Sequence, residues 1–167
     1  MTDSKVPDIS VFRPAPVDEA ALQLGLEAFR RLDHGAKSGE WEPFLELLDD
    51  DLTWFAPVDG FQGLHRDKAS IAELFRHHGA VTRTHWELKN VVANGNEIGF
   101  ESWTAGTIEG KSYGNVLLML FVIENDKIRH IREYAGYING VGDYVGHGDA
   151  SDGADAFDYT NTGRTDS

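Results

Sequence analysis

The chain contains no cysteine, so disulfides, a thiol nucleophile and cysteine-ligated metal are all excluded, and nothing points to an oxidising compartment. It is short of positive charge: 15 Lys and Arg stand against 28 Asp and Glu, for a formal charge of -13. A surface of that sign repels phosphate backbones and anionic lipids, and no basic stripe offsets it, so neither a nucleic acid nor a membrane is expected as a partner. No apolar run approaches the length needed to cross a bilayer, and the opening MTDSKVPDIS lacks a basic segment followed by an apolar one. A cytoplasmic protein is expected. P-loop, nucleophile-elbow and metalloprotease-helix patterns are absent, and the glycines of Gly140 to Gly146 have the wrong spacing for a dinucleotide loop. The seven histidines include no helical pair at four-residue spacing. His77 and His78 are adjacent and point apart, while His65, His85 and His130 fall on separate elements, so no metal and no cofactor is expected.

What is present is a 167-residue chain, 41% hydrophobic and 11% aromatic, enough for one domain with a real core. Residues 1–17 hold three of the five prolines and no helical period, and read as an arm or cover strand. A helix is predicted from Asp18 as N-cap, with Leu22, Leu26, Phe29 and Leu32 on one stripe, ending near Gly35. A second is predicted after Ser38, with Trp41, Phe44, Leu45 and Leu48 at helical spacing, then a strand from Leu52 to Pro57. A Gly-rich bend leads to a third helix over Asp67 to His78, stopped by Gly79. The stretch 138–167, rich in glycine and aspartate, is too poor in apolar side chains to offset its ordering entropy and reads as a mobile tail.

From Trp86 to Tyr137 the chain reads as four strands joined by turns at Asn94-Gly95, Glu109-Gly110 and Asn125-Asp126, an antiparallel meander. In the strand around Tyr113 to Ile123 the odd positions (Tyr113, Asn115, Leu117, Met119, Phe121, Ile123) and the even positions (Val116, Leu118, Leu120, Val122) are both largely apolar. Both faces therefore need cover. Helices can cover one, and a second copy of the sheet across a two-fold axis is expected on the other, giving a homodimer through the outer sheet face. Helices in the first half and a meander in the second imply an α+β domain over 18–137, with three helices packed on one face of a curled antiparallel sheet.

The segments SGEWEPFLELLDDDLTWFAP, FQGLHRDKASIAELF and DKIRHIREYAG, in that order, resemble the nuclear-transport-factor-2-like superfamily, especially its SnoaL-like branch. The resemblance implies a cone of curled sheet closed by three helices, a cystatin-like roll, usually dimeric, with an apolar pocket. Its members include ketosteroid isomerases, polyketide cyclases, limonene epoxide hydrolases, dehydratases and pocket-bearing proteins without chemistry. The isomerase base aligns with Ala56, and the two oxyanion-hole residues align with Leu32 and Met119. The epoxide hydrolase Arg and Asp align with Ser102 and Thr104, leaving Glu133 as the one acid with a counterpart. The cyclase acid aligns with Gly136, and the cyclase pocket histidine with Met119. Phenazine-biosynthesis relatives carry an Asn at Asn115 and an Arg-Glu-aromatic run like Arg132, Glu133 and Tyr134.

Glu133 shares its strand face with Ile131 and Ala135, so a core-facing Ile131 brings it inward, where burial raises a carboxyl pKa towards neutrality. It is the candidate general acid or base; an ion-paired structural carboxyl is the alternative. Asn115, the polar side chain on an otherwise apolar inward face, is the candidate to orient a carbonyl or hydroxyl beside it, against the reading of a satisfied buried amide. Tyr113, Met119, Trp54, Trp86, His65 and His78 are candidate ligand-lining residues, the two histidines also as proton carriers. The expected function is binding of a small, largely apolar, cyclic metabolite with cofactor-independent lyase, isomerase or cyclase chemistry. A non-catalytic ligand-binding or structural dimer is the alternative.

Overall fold

The computed structural model describes residues 14–57 and 63–137, so the expectations for most of the arm, for the Gly-rich bend and for the acidic stretch 138–167 lie outside the described residues. α1 runs Glu19–Ser38 and α2 Glu42–Leu45. β1 (Leu48–Ala56) and β2 (Gly63–Arg66) follow, then α3 (Lys68–Val81). The chain closes with β3 (Thr82–Asn94), β4 (Glu97–Ile108), β5 (Lys111–Glu124) and β6 (Lys127–Tyr137). The six strands form one curled, open sheet in the order β2-β1-β6-β5-β4-β3, the α+β roll expected. Among the described residues, no helix is long and apolar enough to cross a membrane.

The start of α1 is set by Asp18, whose carboxylate accepts from the amides of Ala20 and Ala21. Its end is not Gly35. The helix continues to Gly39, which adopts φ 84 and caps it. Gly35 is a packing site instead: a Cβ there would lie 2.4 Å from the Trp41 ring. The predicted third-helix stop fails for the same reason, because a Cβ on Gly79 would lie 2.0 Å from the Trp41 indole nitrogen and α3 runs on to Val81. One tryptophan thus fills gaps that two glycines leave in facing helices. Asp67, the start expected for this helix, is its N-cap and accepts from the amide of Ser70.

The second predicted helix is only the four residues of α2, and Ser38 belongs to α1. Leu48 opens β1 rather than ending a helix, because its backbone pairs with Ile128 of β6. That pairing is parallel, so the sheet is mixed and not wholly antiparallel. β2 had no sequence signal; it pairs antiparallel with β1, placing His65 opposite Trp54. The meander forms as four strands, with turns at Glu109-Gly110 and Asn125-Asp126 as expected and at Gly95-Asn96, one residue later than predicted.

α1 crosses β3, β4 and β5, while α3 covers β1 and β2. Between them Phe29 stacks on Phe100 at 5.2 Å, Phe100 meets Phe121 at 5.4 Å, and Phe44 meets Phe75 at 5.4 Å. Phe44, Phe100 and Phe121 are fully buried. Each ring contributes about 1.5–3 kcal/mol by leaving water. On β5 the odd positions from Asn115 to Ile123 are buried and the even ones half-buried, the alternation a sheet covered on one face requires.

Candidate functional site

Beside the phenylalanine cluster, with Phe75 shared between the two, the helices and the sheet part to leave a cavity of about 120 Å³. Trp54 of β1, Trp86 of β3, Tyr113 and Met119 of β5, His78 of α3 and Glu133 of β6 all line it, so six of the eight residues singled out from the sequence meet in one place. Leu32, Ala36 and Trp41 supply the α1 side, and Leu74 and Phe75 the α3 side.

Glu133 projects inward because Ile131, two residues earlier, packs in the core. It is 6% exposed. Burial pushes its carboxyl up from the usual 4.5 to about 7, since the charged form loses water. The Trp54 indole N–H nearby opposes part of that rise, although it falls short of a hydrogen bond of good geometry. Trp54 is itself held from both sides, stacked on Phe75 at 5.3 Å and packed at 5.9 Å from the His65 ring.

Trp86 is fixed twice. Its amide donates to Asp33 Oδ1 at 2.8 Å, tying β3 to α1, and its indole N–H donates to Thr84 Oγ1 at 3.3 Å. Burial pushes the Asp33 carboxyl up, but hydrogen bonds from Lys37, the Trp86 amide and His85 outweigh it, so it lies below its ordinary value. Burial, reinforced by charge on the neighbouring His77, pushes the His78 imidazole down. A neutral imidazole and a carboxyl that titrates near neutrality therefore share one apolar wall.

Two candidates fall elsewhere. The β5–β6 register sets Glu133 opposite Met119, whereas Asn115 lies opposite Tyr137, four residues and roughly 13 Å along the strand. Asn115 does not line the cavity with Glu133, so the expected pairing of amide and carboxyl is not formed. Its Nδ2 donates to the Tyr113 hydroxyl at 3.0 Å. His65 packs beside Trp54 but does not line this cavity; it lines a separate depression with Glu73 and His77. Sequence reasoning missed Thr82 and Thr84, and met Thr104 only as the place of an epoxide hydrolase acid; all three line the cavity. The signal was there: Thr82, Thr84 and Trp86 alternate on β3, so placing Trp86 inward implies the two threonines. Among the described residues, no three His, Asp or Glu side chains cluster closely enough to hold a metal ion.

The model of the family described as "SnoaL-like domain" matches residues 26–131. An NTF2-like protein from Anabaena variabilis superposes with a TM-score of 0.69 at 29% identity, over 74% of this chain and 95% of the other. A cystatin-like-fold protein from Xanthomonas campestris gives 0.59 at 17% identity, covering 70% of this chain and 90% of that one. An LEH-like epoxide hydrolase from M. tuberculosis gives 0.57 at 18% identity, covering 71% and 84%. At the last two identities the likeness is one of fold alone. No curated protein matches the chain.

Proposed function

This chain belongs to the SnoaL-like domain family of the nuclear-transport-factor-2-like superfamily, and from that premise we propose that it binds a small, mostly apolar cyclic metabolite in the cavity and moves a proton on it without a cofactor, in a lyase, isomerase or cyclase type of reaction. The observation that carries the reading is Glu133: a carboxyl buried in an apolar wall, lining the cavity, and half protonated near neutral pH. A group so poised can both take and give a proton, which is worth about 10²- to 10⁴-fold in rate. Trp54 faces the carboxyl, Trp86 and Met119 form apolar walls, and Tyr113 and His78 offer hydrogen-bonding groups to the substrate. Asn115 acts one step back, holding the Tyr113 hydroxyl.

The test is ligand discovery by thermal shift followed by product analysis. A ligand at about 100 times its dissociation constant adds about 2.7 kcal/mol of stability. Glu133→Gln should keep that ligand and lose turnover by 10²-fold or more; a variant that turns substrate over at the wild-type rate removes Glu133 from the chemistry.

A second reading, a ligand-binding or structural dimer without turnover, is favoured by the apolar side chains at Leu32, Ala56 and Met119, which align with functional residues of the isomerases and cyclases, and by Gly136, which aligns with the cyclase acid. In either reading we propose a homodimer through the outer sheet face, where Val92 and Tyr134 are half-exposed beside Leu118 and Leu120. Sedimentation equilibrium reads this directly, and a monomer at micromolar concentration would rule it out.

A further inference from the structure

We propose that Thr82, Thr84 and Thr104 form a second, polar subsite of the cavity that takes a neutral oxygen function, a hydroxyl or carbonyl, on the end of the ligand remote from Glu133. The inference rests on the cavity being a ligand site and names what that ligand carries.

Thr104 is 4% exposed, and its hydroxyl lies in the cavity wall without a hydrogen-bond partner. The Thr82 hydroxyl is unpartnered in the same way. Thr84 Oγ1 accepts from Trp86, which leaves its own proton free to donate into the cavity. A strand threonine buried for packing alone would serve as well as valine. A buried hydroxyl with no partner costs about 1–3 kcal/mol, a penalty that a bound oxygen removes.

The register brings Thr84 and Thr104 together on one rim of the cavity, and Thr82 extends that rim. Thr104 pairs with Trp86 and Thr84 with Gly106, so Thr84 and Thr104 are diagonal neighbours about 7–8 Å apart, with Thr82 two residues further along β3. Gly106 brings the strands close here: at φ 153, a Cβ on it would lie 2.2 Å from the Arg83 carbonyl oxygen. Glu133 lies two strands away from Thr104 and four residues along, roughly 16 Å measured over the sheet. The cavity therefore has two poles with apolar wall between them.

Charge and size narrow the occupant. No Lys or Arg is among the described lining residues, so an anionic group would be buried uncompensated. The volume of about 120 Å³ is close to the roughly 150 Å³ of a cavity that holds benzene, which fits one ring rather than a fused polycycle. The class is a neutral monocycle bearing a hydroxyl or keto group.

The experiment is an NMR titration of the ¹⁵N-labelled full chain with cyclohexanol, cyclohexanone, methylcyclohexane and cyclohexanecarboxylate. In wild type the alcohol and ketone should bind at least as tightly as the hydrocarbon despite the desolvation of their oxygen, and the carboxylate should bind most weakly. Thr104→Val should lower the alcohol-to-hydrocarbon affinity ratio about threefold to tenfold, with Thr104→Ser restoring it. Should Thr104→Val not fold, Thr82→Val reads the same ratio. An unchanged ratio overturns the subsite and leaves the cavity standing as a ligand site. Binding of none of the four overturns the ligand-site reading and the subsite with it.

Discussion

The two halves of this interior are built from the same strands and are opposites. On β5, Phe121 packs against Phe44 and Phe100, whereas Leu117, Met119 and Tyr113 face a cavity. Thr84, Thr104 and Glu133, all buried, line that cavity. Stability is concentrated at one end, and this lets the other keep a carboxyl that titrates near neutrality and hydroxyls with no partner, each of which destabilises the ligand-free protein.

Substitutions at either end can break the contrast. Phe100→Ala at the packed end should cost about 3–5 kcal/mol in urea denaturation while leaving any ligand's relative affinities unchanged, because the ring touches Phe29 and Phe121 and does not line the cavity. At the hollow end Glu133→Gln should stabilise. The folded-state value of about 7 exceeds 4.5, so the native protein holds a proton that the unfolded chain releases, and wild-type stability falls as pH rises through that window. At pH 8 the variant should be more stable by about 3 kcal/mol, and near pH 4 the two should be equal, as paired melts would read. An equal difference at both pH values would mean that the carboxyl is not desolvated. Gly79→Ala tests the boundary: displacing Trp41 should cost about 1–3 kcal/mol of overpacking, partly offset by up to about 1 kcal/mol of helix propensity. Since Trp41 lines the cavity, the same change should weaken ligand binding. The smallest effect is Thr104→Val, expected to be neutral or to stabilise by up to about 1 kcal/mol in the ligand-free state.

Local chemistry was legible in the sequence wherever it acted alone. Asp18 and Asp67 cap helices, and two of the three meander turns fall where their residues require. Alternation also told which way Glu133 points, because a period of two fixes the face. It does not fix how far one residue sits along a neighbouring strand, so Asn115 and Glu133, inward on adjacent strands, were placed together although the register separates them. Gly35 and Gly79 misled for a related reason: a glycine that ends a helix and a glycine that admits a ring from elsewhere look alike until Trp41 is placed. β2 is four residues long and exists only by pairing with β1, information that no local pattern carries.

The parallel seam between β1 and β6 has a consequence in time. β1 has two neighbours, β2 beside it in sequence and β6 at the far end of the domain, so the half-sheet under α3 has nothing to join until residues 127–137 exist. A chain made from its N-terminus at about 5–20 residues per second spends seconds with that edge of β1 unpaired, although α3 is already available to cover Trp54. The strand that pairs with this edge is the one that carries Glu133, so the last of the described strands to be synthesised both completes the described sheet and brings in the buried carboxyl.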